Sequence, residues 1–89
     1  MTKYEMWEII FEDDKSTMKY TNIIEELYKV LTWKETKKLL SVLNWFRVHD
    51  KHRFLQYRSL VFFAGDIRGS YDLVINRYNR EMRMRGKRV

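Results

Sequence analysis

The tetrapeptide Thr32-Trp33-Lys34-Glu35 constrains the fold more than any other stretch of this chain. A Thr followed three residues later by Glu matches a capping box, in which hydroxyl and carboxylate each accept an otherwise unpaired backbone N–H. A helix is therefore predicted from Trp33. Leu39, Leu40, Val42, Leu43 and Phe46 follow on a broad apolar arc, and the helix is expected to end near His49. Proline is absent, so nothing along the chain obliges a helix to break.

The neighbouring segments read in the same way. Asn22 is a candidate cap for a preceding helix, with Glu25 as its third residue and Ile23, Ile24, Leu27, Tyr28 and Leu31 on one face. With almost no spacer before Thr32, the two helices should form a tight corner or an antiparallel pair. Arg53 to Ala64 places Phe54, Tyr57, Val61 and Ala64 at helical spacing, and Gly65 stands where a C-terminal glycine would end the helix. A short buried strand over Leu60 to Phe63 is the alternative. Ser70 is the expected cap of a last helix, whose core stripe is Tyr71, Val74, Ile75, Tyr78 and Met82. Residues 4–20 are ambiguous. Trp7, Ile9 and Phe11 alternate as in a strand, Met6, Ile9 and Ile10 are spaced as in a helix, and a hairpin is as well supported as a helix. The expected fold is mainly α: a compact small domain of three to five helices, with an N-terminal β-hairpin (hence α+β) as the alternative.

A chain of 89 residues supports one core, so residues 1–89 are expected to form a single domain. Apolar residues make up 45% of it, enough for a packed core and unlike a disordered chain. There is no cysteine, which removes disulfides and thiolate metal sites and suits a reducing compartment. MTKYEMWEII carries acids among its apolar residues and does not resemble a secretory signal. The longest uninterrupted apolar run, Leu60 to Ala64, is far too short to span a bilayer. A cytoplasmic protein without a membrane partner is expected.

The net charge is +6 and is unevenly placed. Residues 1–45 hold seven Lys, no Arg and eight acids, whereas residues 46–89 hold nine Arg, two Lys and four acids. Arginine offers a planar fork for phosphate or carboxylate and stacks on flat groups, so a basic half of this kind points to nucleic acid or to an acidic protein surface. With the core stripe of the last helix facing inward, Arg77, Arg80 and Arg83 fall on its outer side beside Leu73 and Met84. Three arginines with two apolar residues look like a contact surface rather than a merely solvated face. Glu81, four residues from both Arg77 and Arg85, can form ordinary ion pairs with either. Arg85, Lys87 and Arg88 would extend the grip, with residues 86–89 expected to form a flexible basic end. Arg53 and Arg58 would widen it if they surface on the same side.

Other constellations carry less. KHRFLQYRSLVFF interleaves Arg53 and Arg58 with Phe54, Tyr57, Phe62 and Phe63, as a base-stacking surface would, but at helical spacing most of these rings are core. His49 and His52 would share a helical face, yet two ligands do not complete a zinc site, so no metal or other cofactor is expected. Glu12-Asp13-Asp14-Lys15 resembles a nuclease carboxylate–lysine pattern, but a turn explains it better. The corner at Leu31-Thr32-Trp33 resembles the start of a helix-turn-helix, yet it lacks glycine and Leu39 to Phe46 is too apolar for a DNA groove. No catalytic residue is assigned, and the chain is not expected to be an enzyme.

The function expected from these residues is nucleic-acid (DNA or RNA) binding through an Arg-rich C-terminal helix that contacts phosphate. The alternative is a small accessory or inhibitor protein, of the kind that phages and other mobile elements encode, docked by its Arg and aromatic surface on an acidic patch of a host nucleic-acid enzyme. A composition without Pro or Cys and rich in Lys, Ile, Asn and Tyr fits a bacterial or phage source. The oligomeric state is open, a homodimer included.

Overall fold

The capping box forms as written. In the computed structural model, which describes residues 3–12, 17–63 and 65–86, Thr32 Oγ1 accepts from the Glu35 amide at 3.1 Å and Glu35 Oε1 from the Thr32 amide at 3.0 Å. Five helices lie within the described residues: α1 (Lys3–Ile10), α2 (Thr17–Val30), α3 (Trp33–His49), α4 (Lys51–Phe63) and α5 (Ile67–Gly86). The mainly α expectation holds, and no strand occurs among the described residues.

α3 is the central element and touches each of the other four helices. Thr36, Leu39, Leu40, Val42, Leu43 and Phe46 are all buried along it. These six positions set its core side, while Lys34, Lys37, Lys38, Ser41, Asn44 and Val48 are exposed on the other.

α1 resolves the ambiguity at the N-terminus. Trp7, Ile10 and Phe11 are buried, Ile9 only partly so, and Glu8 is exposed. That is i, i+3, i+4 spacing rather than alternation. The reason is tertiary: Trp7 and Phe11 meet Phe62 of α4 edge-on, at ring separations of 5.2 and 4.8 Å. Such edge-to-face contacts among buried rings add to the gain from area alone. Residues 13–16, on which the expected EDDKS turn falls, lie outside the described residues; Glu12 accepts from Arg47 of α3 at 3.0 Å.

Two predicted caps are corrected. Asn22 is exposed inside α2, which begins at Thr17. Ser70 is buried inside α5, and the helix starts three residues earlier because Asp66 caps it, its Oδ1 accepting from the Gly69 amide at 3.0 Å. A Cβ at position 69 would collide with that carboxylate. Ser70 instead donates to the Leu60 carbonyl at 2.8 Å, satisfying one of the acceptors that the end of α4 leaves open. Gly65 stops α4 as expected, with φ at +80° in the region that glycine enters without strain. The strand alternative over Leu60 to Phe63 is not adopted.

Between α3 and α4 a single residue turns the chain. The Asp50 amide donates to the Phe46 carbonyl at 2.7 Å, closing α3, and its carboxylate accepts from the Arg53 amide at 3.2 Å, opening α4. Cross-contacts then fix the directions. Leu60 with Ser70 and Arg53 with Glu81 run α4 antiparallel to α5, whereas Glu35 with Arg68 and Trp45 with Arg85 run α3 parallel to it. α5 is thus held along its length, and one side remains open. No described helix is long and apolar enough to cross a membrane.

Candidate binding surface on the last helix

The inward side of α5 buries Ser70, Tyr71 and Val74, with Ile75, Tyr78, Glu81 and Met82 partly covered. At 100° per residue, five of the outer positions sweep away from the α4 side in the order Arg77, Met84, Leu73, Arg80 and Arg83. All five are exposed, Leu73 at 40% and Met84 at 50%. The three arginines climb about 9 Å along the axis at a rise of 1.5 Å per residue.

What distinguishes these arginines is what they do not touch. Arg47 is held by Glu12 and Asn44, Arg53 by Asp50 and Glu81, and Arg68 by Glu35 and Asp72. Arg85 pairs with Glu81 at 3.3 Å and covers the Trp45 ring at 4.8 Å. Arg77, Arg80 and Arg83 have no ion-pair or hydrogen-bond partner among the described residues. The anticipated Arg77–Glu81 pair does not form, because Glu81 lies on the core-facing side of α5 and is taken by Arg53 and Arg85.

Arg53 reaches this surface and Arg58 does not. Arg58 donates to the Ile10 carbonyl at 2.9 Å, and its guanidinium lies over the rings of Phe11 and Phe54 at 5.2 and 5.1 Å. It fastens the end of α1 to α4. Lys87 and Arg88 lie outside the described residues, and Gly86 is the last residue of α5 rather than part of a loose end.

Between α4 and α5 runs an open groove of about 570 Å³. Gln56, Tyr57 and Leu60 line it from α4, and Leu73, Arg77, Arg80 and Met84 from α5, with Arg53 and Glu81 at one end. The α4 wall continues past Ser59 to Phe63, whose side is exposed. Of the rings in this segment, Phe54, Tyr57 and Phe62 are core and only Phe63 is displayed. The sequence reading missed Gln56 and Leu60. Their i, i+4 spacing with Phe63 three residues on marks a second outward strip, but only docking against α5 shows which helix it faces.

The remaining candidates dissolve. His49 ends α3 and His52 lies in α4, with the Asp50 turn between them, so they do not share a helical face. No group of three or more potential metal ligands occurs among the described residues. The groups with displaced titration lie elsewhere. Glu35 sits below its ordinary value because the Thr32 amide, and then Arg68, stabilise its anion. Arg68 is raised by its hydrogen bond to Glu35, and Tyr71 by burial.

No protein-family model matches this chain, and no curated protein or solved structure matches it significantly. Its chemistry is therefore the guide. The surface offers three arginines without an ion-pair partner among the described residues, and beside them a groove lined by both polar and apolar side chains.

Proposed function

We propose that this protein binds nucleic acid, with Arg77, Arg80 and Arg83 contacting phosphate. One observation carries the reading: the other described arginines are engaged with side chains, carbonyls or rings of the fold, and these three are not. An arginine tied to an acid adds little field outside the molecule, while three untied ones on one ridge make a positive surface that attracts a polyanion. They are displayed on a helix packed at both ends, so their backbone is already fixed and binding has only the side chains to order. Arg53 stands at the groove's end, and Lys87 and Arg88 would lengthen the contact. No reaction is assigned, and the protein is read as cytoplasmic.

The test is a salt titration with labelled duplex DNA, single-stranded DNA and RNA. Replacing Arg77, Arg80 and Arg83 with Ala should lower the slope of log affinity against log salt by about 2 to 3, the release expected for three phosphates. No binding at low salt would refute the reading.

A second reading, docking on an acidic protein surface such as that of a host nucleic-acid enzyme, draws on the exposed Leu73 and Met84, because Arg, Met and apolar groups together are typical of protein interfaces. Affinity capture from the source cell with the triple-Ala variant as control separates the two.

A further inference from the structure

We infer that the groove between α4 and α5 seats unpaired bases, which makes the partner a single strand rather than a duplex; this rests on the phosphate contacts proposed for Arg77, Arg80 and Arg83. In a duplex the base faces are stacked away and the backbone presents phosphate and sugar. Arginines alone would serve such a partner. Leu73 and Met84, exposed beside those arginines, would then face water with nothing to cover them. An unpaired base brings two flat, weakly polar faces together with its phosphate, and apolar side chains are suitable surfaces for it.

The arrangement along α5 favours this occupant over an acidic amphipathic helix. A helix laid in a groove presents anchors at i, i+3, i+4 and i+7 and needs a continuous apolar strip. Here Leu73 and Met84 are eleven residues apart, about 16 Å along the axis, with Arg77 and Arg80 between them. The apolar surface thus comes as two separate platforms, one at Leu73 and Leu60 and one at Met84, with cations in the interval. Base, phosphate and base again along a strand have this alternation. Polar base edges meet the Gln56 amide, which offers both a donor and an acceptor.

The experiment compares four probes at fixed salt by fluorescence anisotropy: a homopyrimidine single strand as DNA and as RNA, an abasic strand of equal length, and the matching duplex. The base-bearing strands should bind about tenfold or more tighter than the abasic strand, the return of a base or two seated on the protein. Leu73→Ala with Met84→Ala, both at exposed positions where the fold tolerates truncation, should erase that difference while leaving the abasic strand within about twofold. Equal affinity for base-bearing and abasic strands overturns the base-seating inference and leaves the phosphate reading standing. So does duplex binding as tight as single-strand binding. If no strand binds at low salt, both fall. An acidic amphipathic peptide that binds with the same Leu73 and Met84 dependence, while abasic and base-bearing strands bind alike, overturns the inference in favour of a protein partner.

Discussion

Glu81 of α5 holds Arg53 of α4 across the helix pair, Oε2 to Nη1 at 3.4 Å, and its other oxygen takes Arg85 at 3.3 Å. This one carboxylate ties α4 to the C-terminal half of α5 and neutralises Arg53, which stands at the end of the open groove, together with Arg85, which lies over Trp45. Both ion pairs are largely exposed, so each contributes little to stability, on the order of 0.2–1 kcal/mol.

Glu81→Gln is therefore expected to strengthen nucleic-acid binding. A carboxylate within about 4 Å of a cation that faces phosphate costs about 1 kcal/mol in water, so affinity should rise roughly fivefold at low salt. The gain should shrink as salt rises. Anisotropy titrations of the variant across salt concentrations check it, with the melting temperature changing little.

Arg58 separates a structural arginine from a binding one. Its guanidinium donates to the Ile10 carbonyl and packs over Phe11 and Phe54. Arg58→Ala should cost about 1–2 kcal/mol in urea unfolding, through a lost hydrogen bond and lost packing of the side-chain stem. Nucleic-acid affinity should stay unchanged. Arg80→Ala should do the reverse.

Ser70→Ala tests the clamp between α4 and α5. The serine hydroxyl meets the Leu60 carbonyl at 2.8 Å in a partly buried setting. Its loss should cost about 1–3 kcal/mol, because the carbonyl is left without that donor. The urea midpoint should fall with an unchanged slope.

Glu35 makes one part of the stability depend on acid pH. The Thr32 amide and Arg68 hold its carboxyl below the ordinary value in the folded chain. A lowered folded value stabilises fully above the unfolded one, and the stabilisation fades as pH falls through the folded value. Thermal melts of wild type and Glu35→Gln should thus differ at neutral pH and converge below the ordinary carboxylate range of about 4.3.

Much of the helical layout was legible because its signals are local. Thr32 and Glu35 are three residues apart, and Gly65 needs no partner to adopt a positive φ. Both readings held for that reason. Asn22 and Ser70 misled because a good capping residue caps only if a helix starts there. Asp66 caps α5 instead, and Ser70 serves a carbonyl ten residues back, a pairing that sequence spacing does not encode. At the N-terminus both periodicities fitted, and Phe62, far away in sequence, decided between them.

For the binding surface the division is similar. Helical periodicity by itself determined that Arg77, Arg80 and Arg83 share the outer side of α5 with Leu73 and Met84, because a core stripe on one side of a helix dictates what lies opposite. Tertiary structure alone decided which arginines remain open. Glu81 lies within reach of Arg77 along the helix, but packing turns it toward Arg53 and Arg85; Arg58 looked equivalent to Arg53 until α1 covered it. Ion pairing depends on where helices meet, and that is a property of the folded core rather than of any one segment.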